Sequence, residues 1–181
     1  MTYRTLLAGL LSLALLACGS KEVLLAKNAA VPAGVDFTGL WRLNEDSKNV
    51  KLFAHSGAGM AVSSKSRGRR SNDVLVNVFV ETGNSLKVTQ TDFALFIVFD
   101  RAVVEEYRFG ELREASVGPV SAQRASGWDG ASYVIETLDE DGVKLTERYR
   151  LRDGGKVLER SVRVTKGPQL KVDAMQRFDR Y

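Results

Sequence analysis

The fold is decided by residues 133–178, which read YVIETLDEDGVKLTERYRLRDGGKVLERSVRVTKGPQLKVDAMQRF. This stretch holds four strand-length runs, which are Tyr133–Leu138, Val143–Leu151, Val157–Val164 and Leu170–Phe178. Between them lie the turn sequences Asp139-Glu140-Asp141-Gly142, Asp153-Gly154-Gly155 and Lys166-Gly167-Pro168. Runs rich in β-branched and aromatic residues, spaced by such turns about every 12 residues, are typical of consecutive antiparallel strands.

Side chains alternate along these runs, so each strand has one apolar and one polar face. In the second run Val143, Leu145, Tyr149 and Leu151 oppose Lys144, Thr146, Arg148, Arg150 and Arg152. In the fourth run Leu170, Val172, Ala174 and Phe178 oppose Lys171, Asp173, Arg177 and Asp179. One face of the sheet is therefore expected to cover a core and the other to face water.

Further strands are expected upstream of this stretch. Phe37–Asn44 suits a first strand, and residues 47–54 suit a turn with a short second strand. Val74–Val80 and Leu86–Thr89 read as a hairpin around Gly83-Asn84, and Phe93–Phe99 and Val103–Phe109 read as two more strands. Glu111–Ser116 is compatible with a helical turn, and Val117–Ala125 is expected to be extended around Pro119.

About ten strands in succession, with short turns and no long helical pattern, predict an all-β antiparallel meander. A sheet of that length normally curls and closes, because closure protects its edges. We therefore expect a barrel or a strongly curved half-barrel, formed by a single domain over residues 37–181. The aromatic residues expected inside are bulky enough to fill a small barrel, which favours the absence of a large cavity; they are Phe93, Phe96, Phe99, Tyr133, Tyr149 and Phe178.

The N-terminus carries the pattern of an export signal. Arg4 precedes an apolar stretch, Leu6–Leu16, which is followed by Ala17 and by Cys18, the one cysteine of the 181-residue chain. The stretch is shorter than the about 20 apolar residues that a spanning helix needs. Residues 1–17 are thus predicted to be a signal peptide, cut between Ala17 and Cys18.

Leu15-Leu16-Ala17-Cys18 resembles the lipobox of bacterial lipoproteins, at which signal peptidase II cuts. The resemblance implies that Cys18 becomes the N-terminus and carries a diacylglyceryl thioether and a further acyl chain such as palmitate. Several acyl chains anchor a protein firmly, at about 0.8 kcal/mol per buried CH₂. Because Gly19 rather than Asp follows the cysteine, the resemblance implies the outer membrane, with the domain facing the periplasm. Residues 18–36 are expected to form the lipidated N-terminus and a flexible tether.

Two short motifs resemble those of lipocalins. Gly39-Leu40-Trp41 is similar to their Gly-x-Trp signature, and Thr91-Asp92-Phe93 is similar to their Thr-Asp-Tyr. The resemblance implies a calycin-like barrel in which Trp41 closes the narrow end, with Arg177 as the cation stacked on it.

Composition limits the chemistry that the chain can perform. The net charge is +4, which is mildly basic, and an exported protein is not expected to meet nucleic acid. With one histidine, His55, and its one cysteine consumed by lipid, the chain is expected to hold neither a metal nor a cofactor and not to be an enzyme. A hydrolase acting on envelope material is the less favoured alternative.

Two function classes remain. The first is a binding module whose barrel holds a small apolar or amphipathic ligand. The second is a structural or interaction protein with a filled core that docks an envelope protein or polymer. The candidate contacts are Trp41 and Trp128, together with the cations of the Gly/Ser-rich loop 55–73, which are Lys65, Arg67, Arg69 and Arg70.

Overall fold

A computed structural model describes residues 22–47 and 78–181 of the chain. Ten β-strands account for most of these residues. They are β1 (Gly39–Leu43), β2 (Ser85–Gln90), β3 (Ala94–Phe99), β4 (Val103–Arg108), β5 (Glu111–Val117), β6 (Val120–Asp129), β7 (Ser132–Asp139), β8 (Val143–Arg152), β9 (Val157–Lys166) and β10 (Gln169–Arg180). Short 3₁₀ turns lie at Glu45–Ser47 and Asp153–Gly155.

The strands form one antiparallel sheet in the order β4-β3-β2-β1-β10-β9-β8-β7-β6-β5. Strands that are neighbours in the sheet are also neighbours in sequence, except for β10 beside β1. That pair joins the first strand to the last, with Trp41 opposite Arg180 and Leu43 opposite Phe178. The predicted all-β antiparallel meander is therefore confirmed, and it curls into a nearly closed barrel.

The barrel has a gap between its two edge strands, β4 and β5. Side chains from β6 and β7 cross this gap to the backbone of β4. The Ser126 hydroxyl donates to the carbonyl oxygen of Arg108 at 2.7 Å, and the Tyr133 hydroxyl donates to that of Tyr107 at 3.1 Å. These bonds tie β6 and β7 to the end of β4 across the gap.

The two ends of the barrel differ. In a meander, alternate turns lie at the same end. The β4–β5, β6–β7 and β8–β9 turns and the start of β1 lie at one end, which we call the closed end. The β5–β6, β7–β8 and β9–β10 turns and the long connection from β1 to β2 lie at the other, which we call the mouth.

The alternation of faces predicted for β8 is confirmed. Val143, Leu145 and Tyr149 are buried inside, whereas Arg150 and Arg152 on the other face are exposed. In β10 the pattern holds from Val172 onward, but Leu170 is exposed because a bulge between Leu170 and Val172 shifts the register.

The aromatic residues expected inside the barrel are not all buried. Phe99, Tyr133, Tyr149 and Phe178 are fully buried, as expected. Phe93 is exposed instead, because it lies in the turn that precedes β3, and Phe96 faces outward, because it alternates with the buried Leu95 and Ile97.

Some local expectations are wrong. Strand β2 pairs with β1 on one edge and β3 on the other, so it has no edge free for the expected hairpin with residues 74–80. Glu111–Val117 is strand β5 and not a helical turn, because its backbone pairs with β6 from Glu111 opposite Ser126 to Val117 opposite Val120. Apart from Ser47, residues 47–54 lie outside the described part of the chain, as do residues 74–77.

Residues 22–30, which we call the N-terminal strap, lie against the outer face of the barrel. Leu24 packs with Ala125 and Leu138. Glu22 pairs with Lys144, and Lys27 pairs with Glu136 at 2.5 Å. The expectation of a flexible tether thus does not describe this segment.

The strap ends at the closed end, where β5 no longer covers β6. Asn28 forms an antiparallel bridge with Trp128, and the amide of Trp128 donates to the Asn28 carbonyl oxygen at 2.8 Å. Gly127 permits this approach, since a Cβ there would lie 2.6 Å from that oxygen. The strap therefore takes the place beside β6 that β5 leaves open.

Candidate functional site

The barrel interior is divided into a closed-end cluster, a polar layer and a mouth cluster. The closed-end cluster is large and aromatic. Its buried members are Phe37, Trp41, Leu43, Leu86, Val88, Leu95, Ile97, Phe99, Tyr107, Trp128, Tyr133, Ile135, Tyr149, Leu158 and Phe178. Side chains of this size in close contact fill the closed half as a packed core.

Trp41 is fully buried in this cluster, on β1. Its indole N–H donates to the carbonyl oxygen of Phe37 at 3.0 Å. The guanidinium carbon of Arg180 lies 4.2 Å from the centre of its ring. The stacked cation is therefore Arg180. The expected Arg177 instead pairs with Glu159, because it faces outward on β10 beside that carboxylate.

Trp128 is also buried, at the end of β6. Its ring is stacked on Phe37 with centres 5.6 Å apart, and it meets Tyr133 edge-on at 5.3 Å. Its Nε1 has no hydrogen-bond partner among the described residues. Both tryptophans are thus core anchors of the closed end, and neither is exposed to an external ligand.

The polar layer centres on an ion pair that is almost inaccessible to solvent. Arg160 and Glu147 have side chains only 1% and 2% exposed. Arg160 Nε donates to Glu147 Oε2 at 2.9 Å, its Nη2 donates to the same oxygen, and its Nη1 donates to Gln176 Oε1 at 3.3 Å. The loss of hydration of these two charges is therefore offset by their hydrogen bonds inside the barrel and not by water.

Two tyrosines complete this layer. The Tyr149 hydroxyl donates to Glu147 at 3.4 Å. Burial raises the pKa of Tyr149 and that of Tyr107, and the Glu147 carboxylate adds to both shifts. Burial alone would lower the pKa of Arg160, but Tyr149 and Glu147 raise it above its ordinary value. The layer therefore keeps neutral phenols around one charged pair at neutral pH.

The mouth cluster is built differently. The strands contribute mostly alanine and valine side chains to it, and one large aromatic residue, Phe79, enters with Val80 from the β1–β2 connection. The strand residues are Ala115, Val120, Ala122, Val143, Leu145, Val162, Val164, Val172 and Ala174. Phe79 and Val80 from the connection pack among them and are buried. The mouth half is thus filled by a segment that belongs to no strand.

A cavity of about 130 Å³ lies beside Phe79, at the gap between β4 and β5. Four charged residues line it, which are Glu81, Glu105, Arg113 and Arg124. Burial, and then the Glu105 carboxylate, raise the pKa of Glu81. The cavity is therefore a polar niche that borders the apolar mouth cluster. A polar region beside an apolar one is the composition expected of a site for an amphipathic molecule.

Arg124 joins the niche to the interior. It is buried on β6, and its guanidinium carbon lies 5.3 Å from the Phe79 ring centre and 5.5 Å from that of Tyr107. Its hydrogen bonds are long, at 3.5 Å to Glu105 and 3.3 Å to Thr137. Compared with Arg160, this cation has weaker partners and a more accessible position.

A second cavity, of about 600 Å³, lies on the outside of the barrel near the mouth. Val23 of the strap lines one side of it, and Leu112 and Leu138 line the other. Leu112 is half exposed, so this groove presents apolar surface to solvent.

Several predicted site residues lie outside the described part of the chain. They are Ala17, Cys18, Lys65, Arg67, Arg69 and Arg70. Sequence reasoning missed the interior residues Arg124, Arg160 and Glu147. A signal was present, because each of them occupies an inward position of a strand where an apolar residue is the rule.

In the described ranges, no group of three or more His, Cys, Asp or Glu residues is arranged to hold a metal ion. The same ranges contain no helix that is both long and apolar enough to cross a bilayer.

Comparison with known proteins gives fold likeness only. No protein-family model and no curated protein matches the sequence. Among solved structures, a secretory abundant heat soluble protein from Ramazzottius varieornatus aligns with a TM-score of 0.49 and 14% identity, covering 82% of this chain and 97% of its own. A protein described as the REP1-NXSQ fatty acid transporter gives 0.48 and 12%, covering 81% and 96%. A point mutant of the fluorescent protein UnaG gives 0.45 and 15%, covering 80% and 96%. At these values, what those proteins bind says nothing about this chain.

Proposed function

We propose that this protein is a non-catalytic, lipid-anchored envelope protein whose barrel binds a small amphipathic ligand at its mouth. The observation that carries the proposal is the construction of the mouth cluster. Strands line it with small side chains such as Ala115, Ala122 and Val162, while Phe79 and Val80 fill it from a connecting segment. A connection can withdraw without breaking the sheet, whereas a strand cannot.

The ligand's apolar part takes the place of Phe79 and Val80. Full burial of a phenylalanine side chain is favourable by about 1.5–3 kcal/mol. Exposing the Phe79 ring loses this free energy, and burying an apolar ligand group of similar area in its place gains about the same amount. The net free energy of the exchange is therefore close to zero. The Phe79 ring thereby acts as an internal stand-in for ligand.

The ligand's polar part meets Arg124. This guanidinium borders the niche with Glu81, Glu105 and Arg113, and its own hydrogen bonds are long. A polar head can improve on those bonds, since hydrogen bonds to a charged group contribute about 1.5–3 kcal/mol. Arg160 is not available in the same way, because Glu147 already compensates it.

The anchor belongs to the same proposal. Lipidation of Cys18, after cleavage behind Ala17, holds the domain at the outer membrane on its periplasmic side. Cys18→Ala should release the protein from the membrane fraction, and persistence of that variant in the membrane would contradict the anchor.

A second candidate function is an interaction protein with a filled barrel. The closed-end cluster favours it, because that half is packed with aromatic side chains around a self-compensated ion pair. In this reading the surface binds the partner, and Lys65, Arg67, Arg69 and Arg70 contact an anionic envelope polymer.

Native mass spectrometry of the full chain, expressed with its export signal, separates the two functions. We expect an adduct that disappears on denaturation. Phe79→Ala should increase the uptake of an added apolar fluorescent probe, because it empties the mouth. Phe93→Ala is the matched control, since Phe93 is exposed at the other end of the barrel. Arg124→Met should weaken probes with a polar head and spare those without one.

Absence of the adduct, together with equal probe uptake by the Phe79 and Phe93 variants, would overturn the ligand-binding function in favour of the filled barrel.

A further inference from the structure

The geometry points to an orientation of the barrel on the membrane: the mouth is seated against the lipid bilayer that holds the acyl chains of Cys18. This inference rests on the proposed anchor and goes beyond it, because an anchor alone does not say which end of the domain faces the lipid. Three features of the described residues carry it, namely the course of the strap, the exposed apolar side chains of the rim, and the chain length that separates the strap from Cys18.

The strap begins at the mouth. Glu22 pairs with Lys144, which follows the first residue of β8 directly after the β7–β8 turn. From there the strap crosses the outer face of the barrel and ends at Asn28, beside Trp128 at the closed end. The chain therefore enters the folded domain at the mouth and leads away from it.

Little chain separates this entry point from the anchor. Four peptide units join Cys18 to Glu22, and a fully extended chain covers at most about 3.6 Å per residue. The lipidated cysteine thus lies within roughly 14 Å of Glu22, whatever the conformation between them. Since the strap is fixed to the barrel by its ion pairs and by Leu24, the mouth cannot move far from the bilayer surface.

Exposed apolar side chains are available at the same end for contact with lipid, and the strap decides which end makes that contact, since Leu40, Phe93 and Tyr181 leave comparable apolar surface at the closed end. Val117 precedes the β5–β6 turn, Leu170 follows the β9–β10 turn, and Val104 lies next to the β3–β4 turn. Their exposed fractions are 45%, 55% and 63%. On the strap, Val23 and Leu25 flank the buried Leu24 and point outward. Apolar surface at this end is costly in water and is covered when it meets a bilayer.

A bilayer fits this rim better than a groove-binding segment does. The apolar residues come from three separate turns and the strap, so they border an opening rather than line one continuous groove. With the mouth at the membrane, a ligand moves between lipid and barrel without crossing water. Arg124 then binds the polar end of the ligand, while the ligand's apolar part passes between the barrel and the lipid.

The test uses nitroxide labels on the acylated full chain in vesicles of phosphatidylethanolamine and phosphatidylglycerol. Cys18 is the chain's only cysteine and is consumed by lipid, so an introduced cysteine is the only free thiol. Leu170→Cys places the label at the mouth, and Phe93→Cys places it at the closed end with nearly the same exposure. Val117→Cys is a second mouth position in case the first label perturbs the β9–β10 turn.

We expect both mouth labels to lose several-fold accessibility to a water-soluble paramagnetic relaxant when the protein is in vesicles, and the Phe93→Cys label to keep its accessibility. Equal accessibility of mouth and closed-end labels, in protein whose N-terminal peptide has the mass of acylated Cys18, would overturn the orientation and leave the anchor intact. An unacylated N-terminal peptide would overturn the anchor and the orientation together.

Discussion

The buried pair Arg160–Glu147 gives the sharpest test of how the barrel interior is held together. Both side chains are almost fully buried, and Glu147 Oε2 accepts two of the guanidinium's hydrogen bonds. Removal of one partner of such a pair leaves an uncompensated buried charge and costs about 3–5 kcal/mol. We therefore expect Arg160→Met and Glu147→Leu each to lower the free energy of unfolding by about that amount.

The double variant should cost less than the sum of the two single variants. It removes both charges, and its remaining cost comes from Gln176, which loses Arg160, and from Tyr149, which loses Glu147. A buried polar group left without its partner costs about 1–3 kcal/mol. We expect the double variant to be less destabilised than at least one single variant.

Urea unfolding at pH 7, with thermal unfolding as a second probe, measures the free energy of unfolding of the parent protein, the two single variants and the double variant. For a domain of this size 1 kcal/mol corresponds to about 2–4 °C in Tm. A double variant as unstable as the sum of the single variants would refute the reasoning, because it would show that the two residues act independently. So would single variants within about 0.5 kcal/mol of the parent protein, as expected of surface substitutions.

Three further predictions follow from other contacts. Gly127→Ala should displace the strap, because the added Cβ would lie 2.6 Å from the Asn28 carbonyl oxygen. Amide hydrogen exchange should then become faster in the strap but not in the rest of the sheet. Glu81→Gln should become more stable relative to the parent protein as the pH rises above about 4.5. Burial raises the folded-state pKa of Glu81 above its unfolded value, so the parent protein loses stability when this carboxyl ionises, whereas glutamine does not ionise. A pH-independent difference in Tm would contradict this. Arg180→Ala should expose Trp41 to acrylamide quenching and cost about 0.5–1 kcal/mol, and unchanged quenching would show that the stacked cation does not cover the ring.

The strands of the C-terminal half could be predicted from sequence because their signals are local. In β8, inward apolar residues alternate with outward polar ones from Val143 to Arg150, except at the inward Glu147, and turn residues stand at both ends. A period of two is the geometry of a half-buried strand, so pattern and structure agree. Where the local signal was weak, as in Glu111–Val117, sequence reasoning failed, since pairing with β6 decides that segment.

The interior site was harder to foresee. Arg124, Glu147 and Arg160 stand at inward positions of three different strands, and a charged residue at one inward position does not say which residue of another strand it meets. The pairing of β8 with β9 places Tyr149 opposite Arg160 and so brings Glu147 and Arg160 into one layer. The expected stacking cation for Trp41 failed for a similar reason, because Arg177 and Arg180 point to different faces of β10.

The sequence by itself determined the class of the fold and the face that the C-terminal strands turn inward, since those follow from period and turn chemistry. Tertiary structure alone decided that residues 22–30 lie on the barrel as a strap, that Phe79 fills the mouth, and which cation covers Trp41. These depend on contacts between residues far apart in the chain. No local pattern encodes such contacts, because their free energy exists only once the sheet has closed and placed the partners side by side.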